Sequence, residues 1–95
     1  MTDLKPIREH ILRTAVDLTC GDRNKQYGDP LENHQDIARL WTAYLNHVVY
    51  PKDVAIMMAL VKIARAKMPN PHRDNYVDAA AYLAIAGEIH DRTHK

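Results

Sequence analysis

Two groups of charged residues have types and spacing that suit chemistry. Lys62 and Arg65 are cations on the most apolar segment of the chain, the one that carries Val54 to Ala64. Asp74 and Asp78 are carboxylates at the start of an alanine-rich stretch. Wound as a helix, Lys62 and Arg65 lie within about 60° of each other, and Arg65 falls between Val54, Met58 and Val61. Asp78 shares a side with Asp74, Tyr82, Ile85 and Ile89. An unpaired charge in such surroundings costs several kcal/mol, so these groups must meet partners. They either meet each other, with Arg65 and Asp78 as an internal ion pair, or line one polar pocket. In the pocket, the cations hold phosphate oxygens, and the carboxylates hold a divalent ion or a base or sugar group.

The segment from Gly21 to Pro30 carries two glycines, two cations (Arg23 and Lys25) and Tyr27, and it runs into a helix start. Glycine-rich turns and helix N-termini suit anions, and a tyrosine there can stack on a base. The order of residues is not that of a Walker loop, and no strand precedes it. A solvated connector is the simpler reading of the spacing.

Other residues point to structure. Glu32 and Asp36 lie opposite the apolar face of their helix, so they read as a solvated face. His34 lies on the apolar face with Trp41 and Leu45, which favours a satisfied core histidine over a ligand or base. His90 and His94 have metal-ligand spacing without a third ligand. Cys20 is the single cysteine, which excludes an internal disulfide, and it reads as a small residue at a helix end. Met57, Met58 and Met68 read as core filler. The chain has no serine, so serine nucleophile chemistry is excluded.

The elements that must position these groups are helices. Breakers at Cys20-Gly21-Asp22, Gly28-Asp29-Pro30, Pro51 and Met68-Pro69-Asn70-Pro71 divide the chain into four segments without period-two alternation. The first helix is predicted from about Leu4 to Thr19, capped by Thr2 or Asp3 and stopped at Gly21, with Leu4, Ile7, Ile11, Ala15 and Leu18 as its stripe. The second begins at Asp29-Pro30, an N-cap followed by proline, and runs to about His47. Its apolar face carries Leu31, Ala38, Trp41, Tyr44, Leu45 and Val48. The third runs from Pro51 to about Lys67 and is apolar almost all round, as central helices are. The fourth runs from after Asn70-Pro71 to about Asp91. Alanines and Gly87 keep it thin, which allows close packing.

Ninety-five residues with 46% hydrophobic and 26% charged residues make a single all-α domain over 1–95, a four-helix arrangement resembling a bundle. Two of the helices are apolar on more than one face, which predicts a homo-oligomer, most simply a dimer. A net charge of +1 argues against a general nucleic-acid binder. No apolar run reaches a membrane span, the first residues do not read as a signal peptide, and a cytoplasmic location is the default expectation.

Three blocks carry a resemblance: Arg23-Asn24-Lys25-Gln26-Tyr27-Gly28-Asp29-Pro30; Asp53 to Met58 with Lys62-Ile63-Ala64-Arg65; and Arg73-Asp74-Asn75-Tyr76-Val77-Asp78 running into Ala79-Ala80-Ala81-Tyr82. Together they resemble a family of small all-α domains encoded by phages and prophages, some of them of a nucleotide-modification-associated type. The likeness covers about residues 4 to 90. More distantly, the pattern is similar to MazG-type all-α nucleoside triphosphate pyrophosphatases. Those helical oligomers hold magnesium over a triphosphate with two acidic pairs on two helices. Asp78 matches the aspartate of the second pair, Asn75 stands in place of its glutamate with Asp74 adjacent, and the first pair has no clear equivalent.

These resemblances imply a nucleotide-binding domain. Arg23, Lys25, Lys62 and Arg65 would hold phosphates, Tyr27 or Tyr82 would stack on a base, and Asn75 and Asp78 would position cations or hydroxyls. One alternative is a magnesium-dependent pyrophosphohydrolase with Asp74 and Asp78 as metal-holding catalytic carboxylates. The other is a helical interaction module that blocks a host partner through its apolar faces.

Overall fold

A computed structural model describes residues 6–21 and 28–94, and in these the chain forms four helices and no strand. They are α1 (Ile7–Cys20), α2 (Pro30–Leu45), α3 (Pro51–Ala66) and α4 (Arg73–Thr93). The all-α expectation holds, and each break falls where proline or glycine predicted it. Among the described residues no helix is long and apolar enough to cross a membrane.

Local chemistry sets the helix ends. Gly21 closes α1, with its N–H donating to the Asp17 carbonyl at 3.0 Å. A Cβ at that position would lie 2.5 Å from the same oxygen. Pro6 precedes α1 as its cap residue, and the capping expected from Thr2 or Asp3 lies outside the described residues. Proline at N1 opens both α2 and α3. Asn46 ends α2 in the left-handed region (φ 53°), a conformation asparagine tolerates better than most residues. The connection to α3 is pinned where the Val49 N–H donates to Thr42 Oγ1 at 2.8 Å. The Tyr50 N–H then donates to Asp53 Oδ2 at 3.2 Å, so a first-turn acid satisfies a backbone donor at the start of α3.

The helices pack as a chain of neighbours. α3 and α4 make the most extensive contact, α1 lies against α4, and α2 lies mainly against α3. Among the described residues α1 touches neither α2 nor α3. Among the described residues six of the nine buried hydrophobic residues are alanines, so helices approach closely around small side chains, and only Ile89 and Val54 are large and fully enclosed. One cluster, Ala15 with Val77 and Ala81, joins α1 to α4, with Ile11, Leu18 and Ala80 packed around it.

Two expectations about faces need correction. Tyr44 is 89% exposed and Leu45 is also exposed, although both were expected on the covered apolar side of α2, and Val48, expected on the same side, is exposed beyond the end of the helix at Leu45. The last buried residue of α2 is Ala38, so the end of this helix has run past the neighbours that would cover it. α3 does lie between α2 and α4, yet it is not enclosed: Met57, Leu60, Val61 and Ile63 remain exposed.

Candidate functional site

A cavity of about 400 Å³ opens between the helices, and its polar wall is Thr19, Asn33, His34, Lys62, Asp78 and Tyr82. All four helices contribute to it. Leu18, Pro30, Ala81 and Ile85 supply apolar surface, and Gly28 stands at the edge.

At one side Lys62 Nζ lies 3.1 Å from Asp78 Oδ2, with 17% and 31% of the two side chains exposed. This pair bridges α3 and α4. It solves the problem posed by charge on two apolar helices, but with a different cation from the one expected. Arg65 was the expected partner of Asp78; it is exposed instead, and among the described residues it forms no ion pair. The two cations differ by about 60° around α3, and the rotation of that helix against α4 brings Lys62 to the inside. An ammonium has three donor hydrogens. Asp78 takes one direction and leaves the others open to the cavity.

His34 is 4% exposed and is the one buried polar residue among those described. Its Nδ1 lies 2.8 Å from the Pro30 carbonyl, one turn back on α2. A carbonyl only accepts, so Nδ1 carries the hydrogen of this bond, and Nε2 is the ring's other polar atom. Nε2 has no hydrogen-bond partner among the described residues, and no buried polar side-chain atom there is sealed off without one. With Nδ1 tied to its own helix, the ring edge carrying Nε2 is the edge left for the cavity. Tyr82 meets the imidazole edge-on, with ring centres 6.5 Å apart at 67°.

The sequence-derived site is thus assembled in part. Lys62, Asp78 and Tyr82 share the cavity wall. Asn75 is half-buried and Asp74 exposed, and neither lines the cavity. Arg23, Lys25 and Tyr27 lie outside the described residues. The residues that sequence reasoning missed are Thr19, Asn33 and His34. His34 gave a signal, a titratable ring on an apolar face, and it is indeed a bonded buried histidine, but one that lines a cavity.

Among the described residues no magnesium centre is assembled. Asp78 is engaged by Lys62, Asp74 stands away from the cavity, and no cluster of three or more acidic, histidine or cysteine side chains suited to a metal occurs among the described residues. His90 stacks on His94 at 4.3 Å, and Lys52 Nζ lies 3.3 Å from His90 Nδ1. Glu32 and Asp36 are exposed as expected, and Asp36 pairs with Arg39 at 2.8 Å.

A second ion pair went unforeseen. Arg92, near the end of α4, grips Asp29 with both guanidinium NH2 groups, at 2.9 and 3.1 Å. Asp29 holds the N-cap position of α2 as expected, but its carboxylate makes no capping hydrogen bond. The Arg92 hydrogen bonds hold the Asp29 carboxyl below its ordinary value of 3.8, against a desolvation that favours the neutral acid. The nearby N–H groups of Leu31 and Glu32 add to the lowering. The same hydrogen bonds raise Arg92.

Known proteins place this chain. It is 45% identical over 83 residues to the Gene 55 protein of Mycobacterium phage D29, an alignment covering 87% of this chain and 55% of the relative. It is 47% identical over 76 residues to the Gene 55 protein of Mycobacterium phage L5, covering 79% of this chain and 49% of that relative. The chain therefore spans about half the length of the curated relatives it matches. No solved structure matches it. Phage kinship, expected from the three sequence blocks, is thereby supported. A family model also matches residues 10–90, which takes in every wall of the cavity, and the chain belongs to that family, the domain of unknown function DUF6378.

Proposed function

We propose that this domain binds a phosphate-bearing nucleotide in the cavity between its helices, to hold it rather than to turn it over. The observation that carries the reading is the juxtaposition in one cavity of Lys62 and the buried His34, whose Nδ1 is tied to the Pro30 carbonyl. These two groups ask for opposite things. Lys62 donates and suits a phosphate oxygen. With Nδ1 donating to Pro30, Nε2 of a neutral His34 ring is an acceptor, which suits an N–H or O–H such as a base edge or a ribose hydroxyl bears and an ionised phosphate does not. The base or sugar end therefore enters toward His34 and Tyr82, and phosphate stays by Lys62. Arg23, Lys25 and Tyr27 lie in the segment that leads to Gly28, which makes the two cations candidates for the remaining phosphates and Tyr27 a candidate for stacking on the base.

Calorimetric titration of the purified chain with nucleoside mono- and triphosphates, with and without magnesium, tests the reading. We expect saturable binding that does not require magnesium, weakened at least tenfold by Lys62→Ala while the helical circular dichroism is unchanged. Absence of binding by every nucleotide would overturn it. Pyrophosphate release that requires magnesium and disappears in Asp78→Asn would replace it with the hydrolase alternative.

A further inference from the structure

We propose that the outer face of α3 is an interface with a second copy of this chain, in which two α3 helices cross antiparallel about a two-fold axis between Leu60 and Val61. Met57, Leu60, Val61 and Ala64 follow one another at helical i, i+3, i+4, i+7 spacing and all are exposed, with Met57 at 40%, Leu60 at 55% and Val61 at 41%. No charged residue interrupts the helix between Asp53 and Lys62.

Three observations say that the occupant is the same stripe. The first is shape. Antiparallel pairing about that axis places Met57 opposite the partner's Ala64 and Leu60 opposite the partner's Val61, so a long side chain meets a short one at both ends. The second is charge. The same register sets Asp53, before the stripe, opposite the partner's Met68, next to the cation of the partner's Lys67, twice by symmetry. The third is area. The chain exposes 7335 Å², whereas a folded monomer of its 10.9 kDa exposes about 5,600 Å². The excess is about twice the 800 Å² per partner that a stable interface removes. Its radius of gyration, 15.1 Å, likewise exceeds the roughly 12 Å of a closed domain of this length.

Sedimentation velocity across 1–100 µM, combined with engineered crosslinks, tests the proposal. The expected species is a dimer, converted to monomer by Leu60→Glu with its helical signal retained, since Leu60 contributes little to the fold of one chain. In a Cys20→Ala background, the double variant Met57→Cys/Ala64→Cys should form a covalent dimer under mild oxidation, and either single variant should form far less. A wild-type chain that stays monomeric at 100 µM would overturn the proposal and leave the stripe to a different protein. A dimer that survives Leu60→Glu, or that crosslinks as readily through either single cysteine as through the pair, would overturn the assigned face or register. If Leu60→Glu lowers helicity, the crosslink ratio alone decides.

Discussion

His34 and Lys62 divide the recognition task in the cavity, and their variants should fail differently. His34→Gln keeps an acceptor and a donor near the same place, whereas His34→Phe keeps the bulk and removes both. We expect His34→Phe to weaken nucleotide binding at least tenfold and His34→Gln to recover part of it, read by titration calorimetry. Equal affinity in wild type and His34→Phe would remove His34 from the site. Asp78→Asn should cost about 1–2 kcal/mol in denaturant unfolding, because it strands a mostly covered ammonium; full burial would cost more. The sequence made Lys62, Asp78 and Tyr82 legible because charge or a phenol on an apolar helix needs a partner. It misassigned Arg65 because spacing fixes angles within a helix, not the rotation of one helix against another. It undervalued His34 because burial and a cavity edge look alike from a one-dimensional pattern.

At the scale of elements, the four helices were readable because proline and glycine stand at their borders and because alanine-rich, period-2-free segments leave little alternative. What was hidden is where each helix stops being covered. The face of α2 continues past Ala38 in sequence, but its neighbours do not follow it, so Tyr44 and Leu45 emerge, and the helix stops before Val48. Gly21→Ala should destabilise the end of α1, since the added methyl meets the Asp17 carbonyl oxygen, which belongs to the backbone and yields only if the turn opens. A lower melting temperature and faster amide exchange in the last turn of α1 would register this. The clip between α2 and α4 should depend on acid. Asp29 is held below 3.8 in the folded chain, so its contribution is complete above that value and disappears as pH falls through the lowered one. The expected result is that Asp29→Asn lowers the melting temperature at pH 6 and that the gap from wild type closes toward pH 2. A gap independent of pH would show that the pair does not act through its charge.

At the scale of the molecule the four helices form a bundle with much apolar surface left bare. Among the described residues α1 packs against α4 alone, and apolar surface remains on α1, α2 and α3. If copies associate through α3, the melting temperature should rise with protein concentration, because association stabilises only the folded state. A melt identical at 2 and 200 µM would count against association. The sequence pointed to this surplus of apolar faces, but not to which face would stay bare, since that depends on which neighbours each helix acquires.

The pairing of Lys62 with Asp78 also fixes how binding should respond to ionic strength. The two charges cancel within about 3 Å, well inside the Debye length of roughly 8 Å at 0.15 M salt, so from a distance this wall of the cavity looks nearly neutral. A nucleotide held by that wall alone should be bound almost equally well in 50 and 300 mM salt. A steep loss of affinity over the same range would mean that further cations take part, and Arg23 and Lys25 would be the first to replace.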